Sequence, residues 1–115
     1  MSDQTTARIR ALNDMFRQSI GTAKPLGKLY MTAGVTDLGE TFGLNALAAI
    51  KAFEAFTNDI DPHKEHDMVR VTVDGIVVWA KLDYFSSDDP DLGSEDPSDP
   101  AKTERVMTIL LPEEY

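Results

Sequence analysis

One short segment concentrates the side chains that could bind a metal or transfer a proton. Its ten residues, NDIDPHKEHD from position 58 to 67, include four carboxylates and both histidines of the chain. Carboxylate and imidazole groups together suit zinc, manganese or iron. One hypothesis is therefore a divalent metal site, in a metal-binding protein or a metal-dependent enzyme. Its ligands would be drawn from Asp59, Asp61, His63, Glu65, His66 and Asp67, with Asp83 as a further ligand.

The same segment also has a structural interpretation that needs no cofactor. Carboxylates near helix ends and turns often accept hydrogen bonds from backbone N–H groups. Pro62 is expected to end the preceding helix, and His66 can pair with Asp83 across two strands. A calcium-binding EF-hand is excluded, because its sixth and twelfth positions would be Lys64 and Arg70 instead of glycine and glutamate. We favour the structural interpretation and keep the metal site as the alternative.

The sequence offers little for nucleophilic catalysis or phosphate binding. It has no cysteine, which excludes thiolate catalysis, disulfides and cysteine-containing metal sites. None of its serines lies in a Gly-x-Ser-x-Gly elbow. The segment Thr32-Ala33-Gly34-Val35 lacks both the G-x-G-x-x-G and the Walker spacing of nucleotide-binding turns. We therefore favour a protein that is not an enzyme.

Acidic residues are concentrated in the second half of the chain. The net charge of −9 divides unevenly: residues 1–57 contain six Lys/Arg and five Asp/Glu, whereas residues 58–115 contain five and fifteen. A negative field of this kind repels phosphates, so we expect no direct binding to nucleic acid. In one interpretation this charge only keeps the protein soluble; in the other it attracts a basic protein surface, including one that normally holds nucleic acid.

Length and hydropathy indicate one domain that covers residues 1–115. Two separate cores in a chain of this size would each be too small to be stable. No apolar run approaches the roughly 18 residues that span a bilayer. Residues 1–20 also lack the unbroken apolar stretch of a signal peptide. We therefore expect a cytoplasmic protein that does not bind membranes.

Two segments have the apolar periodicity of helices. Residues 3–20 form an amphipathic helix, because their apolar side chains recur at helical spacing. Residues 44–56 are apolar around most of the helix circumference, which is typical of a helix buried on more than one side. We expect this second segment to be the core helix.

Four segments are predicted to be strands. Asp74-Gly75 is typical of a two-residue type I′ hairpin turn, which joins strands 67–73 and 76–84. Further strands are expected at 28–35 and, in the centre of the sheet, at 103–111. The order α-β-α-β-β-β predicts an α+β fold, with an antiparallel sheet and two helices packed on one of its faces.

The hairpin register predicts which side chains lie on the sheet face away from the helices. That face, named here the open face, holds Met68, Arg70, Val77, Trp79 and Lys81. Arg70 and Trp79 are expected to form a cation–π contact. Homodimerisation through the open face is one expectation. The alternative is that residues 86–101 fold back over Trp79, with Leu92 packed against the ring.

Residues 86–101 form a long acidic loop, with six carboxylates, three prolines and no Lys or Arg. Almost nothing in this segment can be buried, so its charges are expected to face solvent. We therefore predict a protein-binding or regulatory module that binds a basic protein surface. The expected partner-binding residues are Asp88, Asp89, Asp91, Glu95, Asp96 and Asp99 in the acidic loop, with Arg70 and Trp79 on the open face.

Several stretches together resemble a bacterial family catalogued as domain of unknown function 3768. They are IRALND at 9–14, TAGV at 32–35, the D-P-H-x-E-H-D core at 61–67, W-x-K-L-D-Y at 79–84 and RVMTIL at 105–110. The sequence departs from the usual pattern at Lys64, where glycine is common, and at Leu82, where isoleucine is usual. The resemblance implies no activity or cofactor. The association of this family with plasmids and other mobile elements implies an accessory, anti-defence or DNA-mimic role.

Overall fold

The computed structural model describes residues 3–115, which form three helices, four strands and a terminal 3₁₀ helix. The α+β class and the predicted order of elements are confirmed. Within the described residues, no helix is both long and apolar enough to span a bilayer. The elements are α1 (Asp3–Ser19), β1 (Lys28–Met31), α2 (Ala33–Thr36), α3 (Glu40–Ala52), β2 (Met68–Val73), β3 (Ile76–Ser86), β4 (Thr103–Leu110) and the 3₁₀ helix (Pro112–Glu114).

The four strands form one mixed sheet in the order β1-β4-β3-β2. The pairs β2–β3 and β3–β4 are antiparallel, as predicted, and β4 lies inside the sheet. β1 runs parallel to β4, with Lys28 opposite Val106. Parallel strands need no tight turn between them. The turn residues that indicated the direction of β2 and β3 therefore say nothing about the direction of β1.

The predicted hairpin turn sets the register of β2 on β3. Asp74 and Gly75 have φ angles of 51° and 78°, which are the positive values that a type I′ turn requires. Val73 consequently pairs with Ile76, and Val69 pairs with Ala80. The alternation that follows separates a buried face from the open face.

The core lies between the buried face of the sheet and the helices α1 and α3. Its interior includes Phe16 from α1, Ile50 from α3 and Met107 from β4, all fully buried. β1 is shorter than the predicted 28–35, and α3 covers Glu40–Ala52 instead of 44–56, so that Pro62 does not end this helix. The strand ends at Met31 because Thr32 caps α2, accepting the N–H of Val35 at 3.5 Å.

The turn between β1 and α2 is occupied by a carboxylate from the C-terminal end of the chain. Glu114 Oε1 accepts from the Thr32 hydroxyl at 2.6 Å, and Oε2 accepts from Gly34 N–H at 3.1 Å. A Cβ atom at Gly34 would lie 2.8 Å from this carboxylate, so a larger residue here would displace the Glu114 side chain. The segment Thr32–Val35, which lacks the spacing of a nucleotide-binding turn, therefore binds a carboxylate of the same chain.

Two cationic side chains join α1 and α3, because each of them caps the C-terminal end of the other helix. Arg17 Nη1 donates to the carbonyls of Ile50, Lys51 and Phe53 at 3.0, 3.3 and 2.8 Å. In return, Lys51 Nζ donates to the carbonyl of Ile20 at 2.7 Å. Terminal helix carbonyls lack intrahelical partners and carry partial negative charge, which cations satisfy.

We expect Arg17→Met to destabilise the fold by about 2 to 4 kcal/mol, because it removes the guanidinium's hydrogen bonds to the carbonyls at the C-terminal end of α3 and to Asp14 while keeping most of the aliphatic stem. Urea denaturation measures this change. Arg8→Met is the matched control, since Arg8 is exposed on the same helix. Equal stability of the two variants would contradict the proposed role of Arg17.

Candidate functional site

Residues 53–67 join α3 to β2 and form an irregular loop against α1. Lys64 and His66 have φ angles of 59° and 56°, in the left-handed region that non-glycine residues rarely adopt. Two contacts hold this conformation. Arg10 Nη1 donates to the carbonyl of Lys64 at 2.9 Å, and His66 N–H donates to Asp61 Oδ1 at 3.0 Å. Buried Asp61 thus works as a turn-forming acceptor, as the structural interpretation predicted.

The His66 ring points towards α1. Its Nδ1 lies 2.8 Å from Asp14 Oδ1, and its Nε2 lies 3.8 Å from Asp61 Oδ2. The ring stacks on Phe56 with centroids 3.7 Å apart. Arg17 also bonds Asp14, at 3.0 Å. An aromatic ring and two carboxylates therefore hold this imidazole between α1 and the loop.

The predicted His66–Asp83 pair is wrong. β2 begins at Met68, so the side-chain alternation of a strand does not extend back to His66. Asp83 instead accepts from Lys81 Nζ at 3.1 Å on the open face.

A buried polar network that the sequence analysis did not identify lies beside this loop. Asn13 Nδ2 donates to the Glu65 carbonyl at 2.9 Å and to the Tyr84 hydroxyl at 2.7 Å. The Tyr84 hydroxyl donates to Glu65 Oε1 at 2.9 Å. Burial raises the pKa of Tyr84, which keeps the phenol protonated.

Arg105 extends the network to the acidic loop. Its Nε donates to Asn13 Oδ1 at 2.8 Å, and its Nη2 donates to the carbonyl of Pro97. Burial lowers the pKa of Arg105. One signal for this network was present in the sequence: Asn13 lies between Ile9 and Phe16 on the apolar side of α1, where a polar residue needs buried partners.

The six candidate metal ligands are divided among three environments. Asp61 and His66 face α1, Glu65 bonds Tyr84, and Asp59, His63 and Asp67 line a separate cleft. Within residues 3–115, no three His, Asp or Glu side chains are grouped to hold a metal ion. The geometry therefore gives the metal alternative no support.

The cleft is an open, polar depression of about 350 Å³ beside the start of β2. Its lining combines Asp67 and Asp83 with Arg70, Lys81 and His63. Burial raises the pKa of the Asp67 carboxyl, and the nearby charges of Glu65 and Asp61 raise it further. A carboxyl group with a shifted pKa in a cleft is a common feature of functional sites and also of structural ion networks.

On the open face, the predicted cation–π contact is confirmed. The Arg70 guanidinium lies 4.7 Å from the centroid of the Trp79 ring. Tyr115 meets the same ring edge-on at 5.4 Å. The acidic loop does not provide this cover, and Leu92 is 60% exposed. The aromatic contact to Trp79 thus comes from the C-terminal end of the chain.

The acidic loop has a defined conformation. Ser86 N–H donates to the Leu92 carbonyl at 2.8 Å, and Ser94 N–H donates to the Tyr84 carbonyl at 3.0 Å. Asp89, Asp96 and Asp99 each accept, through Oδ1, a backbone N–H two residues ahead. The hydrogen bonds from Ser98 lower the pKa of Asp96.

The predicted partner-binding residues fall into two groups. Asp88, Asp89, Asp91 and Glu95 are exposed on the acidic loop, and Asp96 and Asp99 are partly exposed. Arg70 and Trp79 lie elsewhere, on the open face. Trp79 is seven residues from Ser86 along β3, a distance of about 24 Å. The start of the acidic loop and the Arg70–Trp79 pair therefore lie far apart along β3.

A family model described as a protein of unknown function (DUF3768) matches residues 31–114. No curated protein and no solved structure matches the chain. The matched range includes the irregular loop, the cleft and the acidic loop, and it begins after α1.

The substitution Asp67→Asn tests whether the buried charge of this carboxyl destabilises the fold. Because the folded-state pKa of Asp67 is raised, its contribution to stability is present below the unfolded value of 3.8 and is lost as pH rises through the folded value. We therefore expect the variant to gain stability relative to the wild type between about pH 4 and about pH 7, by less than about 1 kcal/mol. Urea denaturation at both pH values measures the gain. A difference that shrinks as pH rises would contradict the assignment.

Proposed function

The chain belongs to the DUF3768 family, and we propose that it is a protein-binding module whose acidic loop docks on a basic protein surface. The observation on which this proposal rests is that the loop is acidic, exposed and ordered at once. Its exposed carboxylates project from a backbone that hydrogen bonds to β3, to β4 and to itself.

Because the acidic loop has a defined conformation, it loses little conformational entropy on binding. A disordered acidic segment would lose conformational entropy when it met a partner, whereas a preformed loop loses little. Three contacts hold the loop on β3 and β4. Phe85 forms a bridge with Gly93, the Ser94 hydroxyl lies 2.7 Å from that of Thr103, and Arg105 binds the Pro97 carbonyl.

The loop also presents an apolar side chain among its charges. Leu92 is 60% exposed and lies between Asp91 and Gly93, close to Glu95 in sequence. An apolar centre within a polar rim is the usual arrangement of a protein interface. The complementary surface is a shallow apolar site surrounded by Lys and Arg.

Electrostatic attraction accounts for how such a partner is selected. Residues 86–101 contain no Lys or Arg, so their charges are not neutralised within the loop. Complementary charge raises association rates and excludes acidic partners. A nucleic-acid-handling protein fits this description, because the carboxylates would occupy its phosphate-binding surface. That version corresponds to a regulatory or anti-defence DNA mimic.

Two charge variants with the same net charge test the proposal. The first replaces the six acidic-loop carboxylates by Asn or Gln, which keeps the side-chain oxygens that accept backbone N–H groups. The control replaces six exposed carboxylates elsewhere: Asp3, Asp37, Glu40, Glu54, Asp59 and Asp74. Each variant has a net charge of −3, six less negative than the −9 of the wild type.

We expect immobilised wild type and control to retain the same host-cell proteins at about 50 mM salt, and the loop variant to lose them, because the attraction depends on where the charge lies. Quantitative mass spectrometry of the retained proteins measures this loss. Release between about 50 and 500 mM salt is expected as well. Duplex DNA added as a competitor distinguishes a DNA mimic from other acidic ligands. Identical retention by all three proteins would reject the proposal.

A further inference from the structure

The outer edge of β2 is a second interaction surface, and we propose that it pairs with β2 of a second copy to form a continuous eight-stranded sheet. β2 is the last strand of the sheet order, so no strand of residues 3–115 lies along its outer side. This inference does not rest on the proposed function of the acidic loop.

The hydrogen-bonding pattern identifies which residues face outwards. In a two-residue hairpin, the pair next to the turn is hydrogen-bonded, and bonded pairs then alternate. Val73, Val71 and Val69 therefore bond β3, and the bond from Leu82 N–H to the Asp67 carbonyl at 2.9 Å continues the series. The backbone groups of Arg70 and Thr72 consequently point away from the sheet, and both residues are exposed.

The two edges of the sheet are protected to different degrees. β1 is four residues long, begins with Lys28 and follows Pro25 and Gly27, which are features that discourage strand addition. β2 is six residues long, MVRVTV, with no Lys, Pro or Gly. Its one charged side chain, Arg70, lies over Trp79. The β2 edge is therefore free to accept a strand.

The sequence of β2 favours pairing with itself in one antiparallel register. A two-fold axis at Val71 places Arg70 opposite Thr72 of the second copy and pairs five residues of each strand. Moving the axis to Arg70 would place two guanidinium groups opposite each other, which is unfavourable. Moving it to Thr72 would pair only three residues within β2. The Val71 register combines the longest pairing with no like charges opposite each other.

The acidic loop starts far from the centre of this pairing. Val71 pairs with Val78, and Val78 is eight residues from Ser86, where the acidic loop starts. That separation corresponds to about 27 Å along β3. Charges are screened over about 8 Å at physiological salt. Repulsion between the starts of the two acidic loops is therefore screened, although each copy has a net charge of −9.

Oxidative cross-linking tests the register directly, because the chain has no cysteine. Across the axis, Val71 forms a non-hydrogen-bonded pair with Cα atoms about 4.5 Å apart, within disulfide range. Thr72 would lie about 8 Å from Thr72 of the second copy, beyond that range. We expect V71C to become mostly a disulfide-linked dimer, and the more exposed T72C to remain mostly monomeric. Equal cross-linking, or none in V71C, would overturn the proposal.

Charge substitutions at Thr72 provide a test without oxidation. In the Val71 register, Thr72→Glu places a carboxylate opposite each Arg70, whereas Thr72→Lys places a cation there. We expect T72E to strengthen dimerisation about fivefold and T72K to weaken it by a similar factor. Sedimentation equilibrium measures both constants. Val77→Glu and Val77→Lys are the controls, since Val77 lies beside Thr72 but one strand inside the edge.

The outcomes separate this interface from a dimer through the open face. An open-face dimer would respond to the Val77 substitutions and would shift the Trp79 emission on dilution, while V71C would not cross-link. Either that result, or a wild-type protein that sediments as a monomer at every concentration, would reject pairing through β2.

Discussion

The buried guanidinium of Arg105 connects the parts of this protein that the proposed function requires. It lies on the buried face of β4 and donates hydrogen bonds to Asn13 Oδ1 of α1 and to the Pro97 carbonyl of the acidic loop. It also lies 5.4 Å from the centroid of the Tyr84 ring. Hydrogen bonds of this kind offset the free-energy cost of burying a cation. The position of the acidic loop is therefore tied to the packing of α1 on the sheet.

The sequence predicted those elements whose signals are local. Asp74-Gly75 specified a turn, the turn specified a register, and the register placed Arg70 against Trp79. The direction of β1 and the contact of Glu114 with Thr32 and Gly34 join residues far apart in the chain, so no local pattern indicated them. The contact between Tyr115 and Trp79 also joins residues far apart in the chain, so it was not predicted either.

The candidate site shows why closeness in sequence is a weak guide to chemistry. Asp59, Asp61, His63, Glu65, His66 and Asp67 are neighbours along the chain, yet the left-handed backbone at Lys64 and His66 sends them in different directions. Glycine adopts such angles without steric strain, whereas at Lys64 and His66 the hydrogen bonds of Arg10 and Asp61 hold them. In the acidic loop, by contrast, the sequence Asp96-Pro97-Ser98 is typical of a turn, because Asp side chains often accept a backbone N–H two residues ahead.

The parallel pairing of β1 with β4 has a consequence for how the chain folds during synthesis. β1 leaves the ribosome early, but its partner residues follow about 80 positions later. Until then β1 is an unpaired strand, a state that invites association with other nascent chains. The short length of β1, its Lys28 and the preceding Pro25 limit that association. The residues that protect this edge in the mature sheet therefore also protect the growing polypeptide.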